Sequence, residues 1–146
     1  MAVNDSREVV IEATPEQILD VIADVGSAPS WSPQYQSAEI LDTYDDGRPK
    51  RVKMKVKAAG LTDEMEVQYS WGENTAGWTL IKSGQLKAQD ATYTLTPAGG
   101  KTKVRFELRV DPSIPIPGFL LKRTIKGAME TATDGLRKQV LKVNKT

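Results

Sequence analysis

Between Lys50 and Lys57 apolar and basic residues alternate without a break. Val52, Met54 and Val56 share one side of an extended chain, and Arg51, Lys53, Lys55 and Lys57 share the other. A period of two with this contrast predicts a strand with one face in a core and one in water. After the turn Ala58-Ala59-Gly60-Leu61-Thr62, Met65, Val67, Tyr69 and Trp71 alternate with Glu64, Glu66, Gln68 and Ser70. A hairpin closing symmetrically on that turn sets Lys57 opposite Glu64, Lys55 opposite Glu66, Val56 opposite Met65 and Met54 opposite Val67, so both faces agree on one register. Beyond the turn from Gly72 to Gly77, the same rule brings Trp78 and Leu80 opposite Trp71 and Tyr69. Ala91, Tyr93 and Leu95 then lead through Pro97-Ala98-Gly99-Gly100 into Val104, Phe106, Leu108 and Val110, with Asp90 opposite Arg109 and Tyr93 opposite Phe106. An earlier strand, about Ser37 to Tyr44, joins the lysine-rich one through Asp45-Asp46-Gly47-Arg48-Pro49, whose Asp-Gly favours a tight reversal. The pattern predicts an antiparallel meander.

Both ends of the chain follow other rules. Arg7 to Ala13 reads as a first strand, ended by Thr14-Pro15-Glu16-Gln17. Thr14 suits an N-cap that accepts the Gln17 amide while the Gln17 side chain reaches back, and Pro15 suits the first helical position because its missing N–H would be unpaired there anyway. The helix runs to about Ala23; Pro29, Pro33 and Gly26 then break it into a tight connection that places Trp31. From Pro117 onward, Leu121, Ile125, Ala128, Met129, Ala132, Leu136 and Val140 recur at three or four, predicting a long amphipathic helix. Its apolar stripe needs a partner, and the inner face of the meander is the only large apolar surface on offer. The expected fold class is therefore α+β, one domain over residues 1–146.

Composition narrows the chemistry. The chain has no cysteine and no histidine, which removes disulfides, thiolate and imidazole metal sites, and every relay built on those side chains. Lys plus Arg is 20 and Asp plus Glu 19, a net charge of +1 that supplies no global field for nucleic acid. The basic stripe Arg51, Lys53, Lys55, Lys57 faces Glu64 and Glu66 and lacks interleaved aromatics, so it reads as a solvated face. No apolar run is long enough to span a bilayer, and the N-terminus lacks the basic start and apolar stretch of a signal peptide; a cytoplasmic protein is the expectation. The sequence carries no signature for a cofactor or metal.

The order of strand, short helices, meander and long helix resembles the helix-grip fold of the START-like (SRPBCC) superfamily. The stretch Thr14-Pro15-Glu16-Gln17-Ile18-Leu19-Asp20-Val21-Ile22-Ala23-Asp24, followed by Pro29-Ser30-Trp31-Ser32-Pro33, is similar to that superfamily's N-terminal signature. Asp45-Asp46-Gly47-Arg48-Pro49 and Tyr93-Thr94-Leu95-Thr96-Pro97 resemble small actinobacterial members of the polyketide cyclase/dehydrase or coenzyme-Q-binding kind. The resemblance covers essentially the whole chain. It implies a bent sheet wrapped around the long C-terminal helix, two short helices near the N-terminus, and a cavity between helix and sheet.

Within that frame the expected ligand-binding residues are Trp31, Met54, Val56, Met65, Val67, Tyr69, Trp78, Leu80, Tyr93, Phe106, Leu108, Ile125 and Met129. They form an apolar lining with the Tyr69 and Tyr93 hydroxyls as polar handles. The same residues would equally fill a solid core. An empty cavity of roughly 300 Å³ would cost ~7 kcal/mol at about 24 cal/mol per Å³, so a real one holds ligand or water. Trp71 and Trp78 are expected to pair across strands and close one end of the sheet. Three readings follow: a binder or carrier of a hydrophobic small molecule, lipid or quinone; a polyketide cyclase or dehydratase acting through Tyr35, Tyr69, Tyr93, Gln89 or Arg123; and a partner-binding module with a filled core. No inward general base is evident, which favours binding over catalysis. The apolar segment from Pro112 to Leu121 covers the open end of the sheet or forms a lip for transient membrane contact.

Overall fold

Buried and exposed residues alternate along most strands of the computed structural model, which describes residues 2–58 and 60–144; the exception is Tyr35–Thr43, nearly all of it exposed. The strands are β1 (Val3–Ile11), β2 (Tyr35–Thr43), β3 (Pro49–Ala58), β4 (Leu61–Trp71), β5 (Thr75–Ser83), β6 (Leu86–Ala98) and β7 (Lys101–Pro112). They form one antiparallel sheet in the order β1-β7-β6-β5-β4-β3-β2, so the meander holds from β2 to β7 and β1 crosses over to the β7 edge. β1 begins four residues before the expected Arg7 because Val3 pairs with Val110 and the whole of β7 templates it. Asn4, Asp5 and Ser6 carry no apolar signal of their own.

Faces are as expected, but two registers are not. Lys55 stands opposite Glu64, Lys53 opposite Glu66 and Met54 opposite Met65, two residues away from symmetric closure on a five-residue turn. The reversal is tighter than that: Ala58 already pairs with Leu61, with Gly60 at φ +75° supplying the left-handed backbone. Ala59, the turn's other residue, lies outside the described residues. A slip of two leaves every side chain on its own face, which is why the alternation could not reveal it. The same slip moves Tyr69 opposite Trp78 and Trp71 opposite Ala76, so the expected Trp71–Trp78 pair does not form. The β6–β7 hairpin is as expected, with Asp90 opposite Arg109 and Tyr93 opposite Phe106.

α1 (Pro15–Ala23) carries the complete capping box: Gln17 N–H donates to Thr14 Oγ1 at 3.2 Å and Thr14 N–H to Gln17 Oε1 at 3.0 Å. A 3₁₀ turn (Val25–Ser27) and one turn of helix, α2 (Ala28–Trp31), follow. The C-terminal helix runs as α3 (Gly118–Glu130), a π turn (Thr131–Gly135) and α4 (Leu136–Val143). Its stripe is seated as expected: Ile125, Met129, Leu136 and Val140 are buried against the sheet, and Leu121, Ala128 and Ala132 pack beside them.

The π turn was not legible in the apolar spacing. Leu136 N–H, which a regular α-helix would aim at Ala132 O, goes to Thr131 O. The Tyr93 hydroxyl takes up the vacated Ala132 carbonyl at 2.9 Å. Thr131 and Thr133 hydroxyls also donate back to Gly127 O at 3.0 Å and Met129 O at 2.8 Å, the kind of side-chain bonding that bends helices. Trp31 packs against this turn, where a Cβ built on Gly135 would be 3.7 Å from its Cε3 atom.

Candidate functional site

The bent sheet and the helix do not meet everywhere. Between the inner faces of β2 to β7, α1 with the connection after it, and the long C-terminal helix there is a cavity of about 200 Å³. Ten of the residues expected in a ligand site line it: Trp31, Met54, Val56, Met65, Tyr69, Trp78, Tyr93, Phe106, Leu108 and Ile125. Val67 and Met129 do not reach the wall and are fully buried in the surrounding core. Leu80 is also away from the wall, opposite Val67.

The rings on the wall and Trp71 form a continuous series. Trp71 stacks on Tyr69 at 5.6 Å, Tyr69 meets Trp78 at 5.2 Å, Trp78 meets Phe106 at 6.0 Å, and Tyr93 meets Phe106 at 4.6 Å. Trp71 lies off the cavity wall and has partners other than the expected Trp78. Its indole N–H donates to Pro49 O at 2.8 Å, and the Arg48 guanidinium lies 5.2 Å above the ring while holding Leu19 O and Asp20 on α1. Half-buried Val56, Leu86, Ile116 and Leu121 also border the cavity.

Polar groups on the wall divide into occupied and free. Tyr93 is a strut to the helix, through Ala132 O. Asp24 accepts from Ser27 Oγ at 2.7 Å, and Asp63 accepts from the Ser83 hydroxyl and from Gly84 N–H, fastening the β5–β6 turn. Gln89 Oε1 accepts from Trp78 Nε1 at 3.2 Å. By contrast the Tyr35 and Tyr69 hydroxyls make no hydrogen bond to any described residue, and Trp31 Nε1 is a buried donor without a partner among them. Burial pushes the Tyr35 phenol up to about 12 and the Tyr69 and Tyr93 phenols well above their ordinary value. Tyr35 also acts electrostatically on both of the others, and Tyr93 on Tyr69, so the three phenols share one neighbourhood. The free groups are therefore neutral donors.

Arg123, a candidate for chemistry in the sequence, lies exposed on α3 and takes no part in the wall. The alternation of strands pointed to the sheet side of the cavity; on the other side only Trp31 and Ile125 were expected, and the rest was missed. Val21, Ile22, Val25 and Ala28 reach it from α1 and its connection, and Thr124, Ala128 and Ala132 from the long helix. Their signal was the apolar faces of those helices, which sequence spacing shows but does not aim. Tyr35 had weaker notice, since it opens β2 where the pattern is broken by bulges.

Residues 3–141 match the family described as polyketide cyclase/dehydrase and lipid transport. No curated protein sequence matches the chain. Among solved structures, a START superfamily protein from Mycobacterium smegmatis is similar with a TM-score of 0.86 and 24% identity, over 97% of this chain and 99% of that one. The Zhui aromatase/cyclase from Streptomyces sp. R1128 gives a TM-score of 0.84 at 10% identity, over 99% and 98%. A STAR-related lipid transfer protein from Xanthomonas axonopodis gives 0.71 at 16%, over 94% and 85%. At these identities the likeness establishes the helix-grip fold.

Proposed function

The chain belongs to the polyketide cyclase/dehydrase and lipid transport family, and from that membership and the chemistry of its cavity we propose that it binds a small, uncharged, apolar molecule bearing oxygen acceptors. The observation that carries this reading is the pairing of an apolar, ring-lined wall with neutral Tyr35 and Tyr69 hydroxyls that have no hydrogen-bond partner among the described residues. A hydroxyl left without a protein partner can donate to an acceptor on a ligand. Size sets a further bound. A cavity of about 150 Å³ holds benzene, so one of about 200 Å³ accommodates roughly one or two rings. A quinone or phenol head fits; a long chain attached to it has to extend beyond the cavity. Transient membrane contact belongs to the same reading, as the step at which such a ligand is exchanged.

Catalysis is the second reading, because free phenols could donate to a substrate carbonyl and a structural neighbour is an aromatase/cyclase. It has less support: the wall carboxylates are committed to turns, and phenols held this far up remain protonated and are poor bases. A filled-core interaction module is the least supported of the three, given the cavity.

The test is titration with 1,4-naphthoquinone, which has no cysteine here to alkylate, read by thermal shift and by quenching of tryptophan fluorescence. Native mass spectrometry of the freshly purified protein runs in parallel. Binding at micromolar concentration, weakened about tenfold by Tyr69→Phe, is the expected result, since one hydrogen bond contributes about 1.5 kcal/mol. No probe binding, combined with no co-purified hydrophobic molecule, would overturn the proposal; turnover of the probe would move it to the second reading.

A further inference from the structure

α3 has an outer face as well as an inner one. Phe119, Lys122, Arg123 and Lys126 fall at i, i+3, i+4 and i+7, so they form one stripe, and all four are exposed. At 70% exposure Phe119 is the most exposed large apolar side chain among the described residues. The ten residues from Pro112 to Leu121 contain no charge at all, and the cations begin immediately after them.

These cations are also unengaged. The other arginines each hold a carboxylate, as Arg7 holds Asp134 and Arg137 holds Glu12, whereas Arg123 has no such partner among the described residues. Neither Lys122 nor Lys126 has one. A net charge of +1 spread over the chain gives no long-range pull, so this stripe is a local concentration of positive charge rather than part of a basic surface.

We propose that the stripe Phe119-Lys122-Arg123-Lys126 docks on an anionic lipid bilayer, with Phe119 entering the boundary between headgroups and acyl chains and the three cations facing lipid phosphates and carboxylates. An aromatic tip followed by basic side chains on one helical face suits that boundary, where apolar burial and electrostatic attraction act together. Position selects a bilayer over an acidic protein. Ile116 and Leu121, on either side of Phe119 in sequence, line the cavity, so the docked surface adjoins the wall of the ligand site. No helix among the described residues is long and apolar enough to cross a membrane, so the contact is peripheral. The purpose of docking rests on the binder reading; its geometry does not.

Vesicle sedimentation tests it on the full chain without added ligand. Phosphatidylcholine vesicles are compared with vesicles containing about 30% phosphatidylglycerol, at low and at physiological salt. At least tenfold stronger partitioning into the anionic vesicles is expected, falling with salt. The triple variant Lys122→Gln, Arg123→Gln, Lys126→Gln should lose at least tenfold, and Phe119→Ser severalfold. These side chains are exposed, and circular dichroism together with naphthoquinone titration confirms that the variants fold and keep their cavity. Equal binding to neutral and anionic vesicles, no vesicle binding, or an undiminished triple variant overturns the proposal. So does capture by an acidic polypeptide without vesicle binding. Because naphthoquinone binding is measured separately, the binder reading and the docking surface fail independently.

Discussion

Tyr69 and Tyr93 are separated by one indole on the same inner face, yet their hydroxyls meet different things. Tyr93 supports a helix carbonyl that the π turn has released, while Tyr69 has no partner among the described residues. Tyr93→Phe should therefore strand Ala132 O and cost about 1 to 3 kcal/mol, lowering the midpoint of thermal unfolding by several degrees. Tyr69→Phe should leave the midpoint nearly unchanged and weaken the probe. Equal loss of stability in both variants would sink this division of roles. The three raised phenols also give an alkaline limit. Their folded values lie above the unfolded value of about 10, so the stability they contribute is complete below that pH and is lost as pH rises toward about 12. In a Tyr44→Phe background, which leaves only these three phenols, phenolate absorbance should appear together with loss of circular dichroism; their ionisation in a fully folded protein would contradict the burial. Alternation alone showed that Tyr69 and Tyr93 point inward. It could not show which hydroxyl finds a partner, because Ala132 lies 39 residues further along the chain from Tyr93.

At the level of elements, local signals held where the physics is local. The capping box of α1 involves residues three apart, and it formed at the residues expected. Hairpin registers depend on the tightness of each reversal, and side-chain alternation is blind to a slip of two. The C-terminal helix shows the same limit: its apolar stripe continues through the π turn, whose extra residue is stabilised by Tyr93 from the sheet. The contact between β1 and α4 yields a prediction. Arg137 donates to both Glu12 carboxylate oxygens, at 3.1 and 2.9 Å, and this hydrogen bonding holds the Glu12 carboxyl below its ordinary value of 4.5. The stabilisation is present above that value and disappears as pH falls through the lowered folded one. The difference in midpoint between the native chain and Glu12→Gln should accordingly shrink between pH 7 and pH 3. A difference independent of pH would assign the effect to something other than the ion pair.

For the molecule as a whole, the cavity is a cost that function explains. Left dry and empty, about 200 Å³ would cost roughly 5 kcal/mol, at the low end of the entire stability of a typical domain. Filling it by Ala128→Leu should raise the unfolding midpoint of the ligand-free protein and abolish naphthoquinone binding, a trade of function for stability. Binding with unchanged affinity in that variant would place the ligand elsewhere.

By itself the sequence determined which residues face inward, where the strands and helices run, and that the lining is apolar with a few phenols, because side-chain periodicity and helix capping act within a few residues. The tertiary structure decided what periodicity cannot carry. It chose between a solid core and a cavity, committed Tyr93 to the helix while leaving Tyr35 and Tyr69 open, and set Phe119 and its cations on the exposed face of α3, next in sequence to residues that line the cavity. Each of these depends on how far apart the sheet and the helix come to rest, a distance set by packing between residues remote in the chain.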